Sequence, residues 1–187
     1  MAQFITPSEF KAYPLPITAK QWSMIGDDQL AVTIGFASDH LEDYMDRRIL
    51  TASYTDRRMG TGTNKMLLQQ YPVTAVASAY TYDGWGNEIP ASPWDVSEFN
   101  IHQDAGLLEF IKRDKYSFTK AYTWVIDYTA GFATVPGPVK HATALQTVKM
   151  LQPIFRGGTT FTETELIADL DEEVMELLDF YKRRRAG

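Results

Sequence analysis

Ala121-Tyr122-Thr123-Trp124-Val125-Ile126-Asp127-Tyr128-Thr129 is followed by Ala130-Gly131-Phe132-Ala133-Thr134-Val135-Pro136. The first nine residues alternate strictly: Tyr122, Trp124, Ile126 and Tyr128 fall on one side, Thr123, Val125, Asp127 and Thr129 on the other. A period of two with β-branched and aromatic residues predicts a strand with one buried face. Gly131 then offers a backbone angle that other residues resist, and Pro136 suits the opening of a helix. Tyr128, Gly131 and Pro136 therefore define a strand-to-helix corner built for geometry, with no reactive group in it.

Upstream, the same period recurs. Val73 to Tyr82 predicts a strand with Val76, Ser78, Tyr80 and Tyr82 on one face and Val73, Ala75, Ala77 and Ala79 on the other. Asp83-Gly84-Trp85-Gly86-Asn87 closes it with turn residues. Phe99–Ile101 and Gly106–Ile111 predict two more short strands, and Lys112–Lys120 a polar connection. Residues 66–130 thus read as a compact antiparallel sheet and not a βαβ repeat. Gly60-Thr61-Gly62-Thr63 is expected to be a flexible break; no Gly-Lys-Ser/Thr follows, so it is not a phosphate loop.

Helical periodicity flanks the strands. Leu30, Ile34, Ala37, Leu41, Tyr44 or Met45, and Arg48 or Ile49 recur at three- and four-residue steps, predicting a helix from Asp27 to about Leu50 with Asp27 or Asp28 at its cap. Val139 to about Phe155 predicts a second, ended by Gly157-Gly158. A third begins at Thr162, with Glu165 three residues on as in a capping box. Its stripe is Leu166, Leu170, Val174, Leu177 or Leu178, and Tyr181, and Lys182-Arg183-Arg184-Arg185 close it. Pro7, Pro14 and Pro16 predict an extended lead-in and not a helix. The resulting expectation is an α+β chain, mainly helical, with N- and C-terminal helices packed with a small antiparallel sheet. It divides into an arm (1–20), a helix-plus-sheet core (21–156) and a C-terminal docking helix with a basic tail (159–187).

Composition narrows the function. Of 187 residues 44% are hydrophobic, enough for a sizeable core, and there is no cysteine, which excludes disulfides, thiolate nucleophiles and Cys-held metals. A net charge of −6 argues against a nucleic-acid binder with a basic footprint. No stretch approaches the ~20 apolar residues that span a bilayer, and Met1-Ala2-Gln3-Phe4 lacks a signal peptide's pattern, so a cytosolic product without membrane contact is expected.

No catalytic constellation emerges. His40, His102 and His141 have no partner at metal-ligand spacing. Gly84-x-Gly86 lacks a third glycine, no Gly-x-Ser-x-Gly elbow is present, and Asp83–Glu88 does not keep an EF-hand register. Neither cofactor nor metal is expected. Trp85, Trp94 and Trp124 with Tyr80, Tyr82 and Tyr122 could form a sugar-stacking platform, which would make the chain a carbohydrate-binding module, but alternation places most of them in a core or an interface.

Three passages carry a likeness to a known family: Leu41-Glu-Asp-Tyr-Met-Asp-Arg-Arg-Ile-Leu50; Gln70-Tyr-Pro-Val-Thr-Ala-Val-Ala-Ser-Ala-Tyr80 with Asp83-Gly84; and Val125–Pro136 with Val139 and Ala142. Together they resemble the head-to-tail connector (adaptor, or head-completion) proteins of tailed bacteriophages, over roughly residues 20–155. The resemblance implies a non-enzymatic, homo-oligomeric ring, usually a dodecamer, docked on the portal and made in the host cytoplasm before it joins the virion neck. Such a ring extends the DNA channel, lets double-stranded DNA pass without sequence-specific binding, and offers a surface to the next neck or tail protein. Tail-terminator and stopper proteins are the alternatives within the same particle. Beside that likeness, the C-terminal stripe together with Lys182, Arg183, Arg184 and Arg185 is the segment expected to face the portal or a neighbouring subunit.

Overall fold

A computed structural model describes residues 3–15, 17–89, 93–112, 115–156 and 170–182. These residues form two compact units, one from within Met1–Arg47 and Thr134–Arg184, the other Arg48–Ala133. The second is an insertion in the sequence of the first.

The helical unit contains α1 (Pro7–Ala12), α2 (Ala19–Trp22), α3 (Asp27–Met45), α4 (Gly137–Phe155) and α5 (Glu172–Asp179). The lead-in is therefore not the extended arm its prolines suggested. Pro7 sits in the first turn of α1, where a missing N–H costs nothing. Thr6 accepts from the Glu9 amide while Glu9 accepts from the Thr6 amide, a reciprocal cap, and Thr18 and Gln21 repeat it at α2. Phe10 is fully buried with Ile5, Leu30, Ile34, Ala144, Leu151 and Ile154 and meets Trp22 edge to face at 5.7 Å. α3 stops at Met45, short of Leu50, because Asp46 turns left-handed at φ 52°. α4 begins one residue after Pro136, which caps it, and Pro138 lies in its first turn.

The second unit holds six strands in two three-stranded antiparallel sheets: β1 (Ala52–Met59), β6 (Thr123–Ala130) and β3 (Val73–Tyr82) in that order, and β2 (Lys65–Leu67), β5 (Leu107–Phe110) and β4 (Phe99–His102). Of the described residues 39% are helical and 25% extended, so the chain is mixed α+β and not mainly helical, with two sheets where one was expected. One apolar core serves both: Trp124, Phe110, Phe118, Phe99 and Tyr128 pack with Met66, Leu108 and Ile126.

β6 keeps the faces its alternation predicts, burying Trp124, Ile126, Tyr128 and Ala130. β3 has the predicted ends but not the predicted faces. Its ladder with β6 shifts register between Val73 and Ala75 and again between Val76 and Ser78, so burial switches parity: Val73, then Val76, then Ala79 and Thr81. β1 was not anticipated; it lies at the edge of its sheet, and burial there alternates too weakly to declare itself. The Gly60–Thr63 segment is no flexible break. Gly62 donates to the Phe118 carbonyl at 2.7 Å and Phe118 to the Thr63 carbonyl at 2.7 Å, and a Cβ on Gly60 would collide with the Phe118–Thr119 backbone.

Candidate functional site

The corner at Gly131 is a junction of three chain segments. Gly131 donates to the Pro72 carbonyl at 2.9 Å, Phe132 to the Ile49 carbonyl at 2.8 Å, and Thr51 to the Phe132 carbonyl at 3.2 Å. Gly131 has φ 113°, and a Cβ there would lie 2.6 Å from the Leu50 oxygen and 2.8 Å from the Thr51 Cα. Tyr128 is buried, its hydroxyl oxygen accepting from the Gln70 amide at 3.0 Å, and that burial pushes the phenol well above its ordinary pKa. Nothing at the corner can attack, coordinate or exchange protons near neutrality. Pro136 belongs to the following helix as its cap.

Two of the three tryptophans proposed for sugar stacking are in the core. Trp124 is buried, and Trp94 packs against it at 5.5 Å and against Phe110 at 5.3 Å, its ring N–H donating to Thr81 Oγ1 at 3.2 Å. Trp85 alone stands out, 91% exposed. Trp94 and Trp124 are therefore not available to a sugar-stacking platform, while Tyr80, Tyr82 and Tyr122 are half-buried. The loop carrying Trp85 is rigidly braced. Asp83 Oδ1 accepts from the Trp85 and Asn87 amides, each at 2.8 Å, and Asp83 Oδ2 accepts from Asn87 Nδ2 at 3.1 Å. Those bonds, first among them the one from the Asn87 side chain, hold the Asp83 carboxyl below its usual range.

One polar cluster escaped sequence inspection. Glu109, only 2% exposed on β5, meets His102 Nε2 at 2.9 Å, Asn64 Nδ2 at 3.2 Å and Lys65 Nζ at 3.7 Å. It borders a 320 Å³ hollow lined by Asn100, Glu109, Phe110 and Ile111. His102 and Glu109 are seven residues apart on neighbouring strands, so only the β4–β5 register reveals the pair. Glu109 is thus a buried side chain held by polar neighbours on β4 and the Asn64–Lys65 segment. Among the described residues no three His, Asp or Glu side chains converge as a metal-binding set, and no helix is long and apolar enough to cross a membrane.

The C-terminal stripe is only partly described: Leu166 and Arg183, Arg184 and Arg185 lie outside the described residues, as do Gly157-Gly158 and the expected cap at Thr162. Within α5, Val174 is 1% and Leu178 0% exposed. Lys149 Nζ pairs with Asp171 at 2.5 Å, the Tyr44 hydroxyl donates to Asp179 at 2.9 Å, and Lys182 Nζ lies 4.1 Å over the Tyr44 ring. Val174, expected to face a partner, is thus covered by its own chain. Leu170, Leu177 and Tyr181 are half-buried and Phe180 is exposed.

What this arrangement defines is a two-unit α+β fold, a helical unit with a six-stranded unit inserted in its sequence. No family model matches the sequence, and no curated protein sequence does. Solved structures do share the fold. A chain in the neck of an empty gene transfer agent (GTA) particle, computed with C6 symmetry, aligns with 98% of this chain and 92% of its own at a TM-score of 0.64 and 17% identity. A chain of the virion of a native GTA particle aligns with 100% and 95% at 0.64 and 18%. A third, from the neck of a native GTA particle computed with C12 symmetry, aligns with 100% and 97% at 0.56 and 18%. At such identities the likeness establishes the fold.

Proposed function

We propose that this chain is a structural neck protein of a tailed, phage-type virion: a homo-oligomeric ring, twelve-fold in its mature form, that docks on the portal, extends the DNA channel and receives the next neck or tail protein. One observation carries the reading. Nearly the entire chain aligns with nearly the whole of chains in particle necks, so the likeness spans the complete fold and not one module of it. Imaging of those necks under C6 and C12 symmetry supports a cyclic assembly here. The role needs no catalysis, in keeping with a corner and a buried Glu109 that both serve packing.

The adaptor role and portal docking rest on the resemblance of the three sequence passages and on the C-terminus. Since Val174 and Leu178 are occupied at home, the surface assigned to the portal or a neighbouring subunit is Leu166, Leu170, Leu177 and Tyr181 with Lys182, Arg183, Arg184 and Arg185. Reversing those four cations to glutamate leaves α5's buried residues untouched, so the fold should survive while filled heads fail to acquire tails. Particles of the variant that carry tails at the normal frequency would remove the docking role. Electron microscopy of the complete particle tests the larger claim: a ring directly beneath the portal is expected, whereas a ring at the tail end identifies a terminator and a lone asymmetric copy ends the ring reading.

A further inference from the structure

The sheet β1-β6-β3 carries two complementary patches at one end, on opposite edges. Met59 of β1, Thr123 of β6 and Tyr82 of β3 lie in one row across the sheet. Two strand spacings separate its edges, about 10 Å. From the β3 corner rises the braced loop, with Trp85 at its tip and the carboxylates of Asp83 and exposed Glu88 at its base. At the β1 corner stand Met59, 61% exposed, and Arg57, exposed and making no hydrogen bond or ion pair among the described residues.

The two edges are also finished differently. β3 is irregular and covered: two register shifts interrupt it, Ile89 donates to the Thr81 carbonyl at 3.0 Å and Trp94 to the Ala79 carbonyl at 2.9 Å. These are devices that keep a sheet edge from pairing. β1 runs eight residues in unbroken register. Gly60 donates to Tyr122, so by antiparallel alternation Arg58, Asp56 and Tyr54 turn their backbone groups to β6, and Met59, Arg57, Thr55 and Ser53 turn theirs to the open edge.

We propose that Trp85 and its acidic loop dock on the Arg57–Met59 end of β1 in a second copy of this chain, forming the head-to-tail contact of the ring; the idea rests on the ring reading above. Chemistry selects the partner. A tryptophan face accepts a guanidinium and packs on a thioether, and Asp83 and Glu88 supply the counter-charge that Arg57 lacks at home. Placement suits the ring. Different patches on opposite edges of one sheet can pass the same contact from copy to copy, as a head-to-tail ring requires. The Asp83 brace fixes the loop before contact, which lowers the ordering cost of binding.

The absence of native cysteine makes the contact directly addressable. Met59→Cys and Gly84→Cys, the latter in open space, are introduced singly and together, and assembled particles are treated with a short bismaleimide. The double variant should yield a ladder of covalent oligomers reaching the full ring, and either single variant only uncoupled chains. Dimers from a single variant indicate a two-fold contact and overturn the proposal. Intact rings without a ladder from the double variant also overturn it and leave the ring reading standing. Particles in which the wild-type chain forms no ring refute both. As a second arm, Arg57→Glu should raise the concentration needed for ring formation at least tenfold, and Glu88→Arg added to it should recover most of the loss. Unchanged assembly of Arg57→Glu would sink the contact.

Discussion

Gly131 shows how much geometry a single residue can hold. Its φ of 113° is strained for any L side chain, and the atoms around a new Cβ are backbone atoms of Leu50 and Thr51 that cannot swing away. Gly131→Val should therefore cost at least the ~1–3 kcal/mol of an unfavourable backbone region, and more from the clash. Thermal melting followed through the tryptophans of the sheet unit should fall by roughly 10 °C or more. An unchanged melt would mean that the corner opens freely. Glu9 offers a pH test at the same scale. Its hydrogen bond from Lys140 at 2.6 Å, then the Thr6 amide at the cap, lower its pKa from 4.5 to about 2. A depressed folded pKa contributes stability that is fully present above 4.5 and is lost as pH falls toward 2. Wild type should accordingly exceed Glu9→Gln in melting temperature at pH 6, with the gap closing through that window. The group is well exposed, so the gap should be small. A gap that is constant with pH would assign the effect to the cap's shape and not to its charge.

At the scale of elements, α5 is decided by packing. Eight residues are too few for a stable helix in water, so its persistence depends on Val174 and Leu178 against its own unit. Leu178→Ala should cost about 2–4 kcal/mol in denaturant unfolding, whereas Leu177→Ala, on the half-buried side, should cost less than ~1 kcal/mol. Equal effects at the two positions would place α5 differently. This distinction was not legible in the sequence, because a helical stripe names a face and not its partner. Other elements were legible to differing depths, for physical reasons. β6 is central, bonded on both sides and buried on one face, so its alternation is clean. β3 betrayed its length but not its faces, since each bulge inserts a residue without changing composition. α1 was hidden by Pro7, which forbids a helix interior yet favours a first turn; Thr6 and Glu9 were the signal that could have found it. The Trp85 loop was visible as a turn, but its exposure is a tertiary fact. The His102–Glu109 pair required a strand register that no local pattern contains.

For the whole molecule, charge sets two opposing effects on assembly. Each chain carries −6, so the proposed ring of twelve would carry about −72, a lining that DNA could pass without adhering if acidic faces turn inward. The same charge opposes closing the ring. That repulsion acts between whole subunits and is screened increasingly as the Debye length shortens from ~30 Å at 0.01 M salt to ~10 Å at 0.1 M. A contact between Arg57 and Glu88 acts at a few ångströms and is screened far less. Raising salt from about 0.01 M to about 0.15 M should therefore remove most of the opposing term while sparing the attractive one. The ring fraction at fixed protein concentration, measured by mass photometry, should rise across this range. In Glu88→Arg, whose net charge is less negative by two, the repulsive part of the response should shrink even though the contact itself is weakened. If rings instead form best at the lowest salt, long-range attraction between unlike faces governs assembly, and the patches that matter lie elsewhere than at the two corners of the β1-β6-β3 sheet.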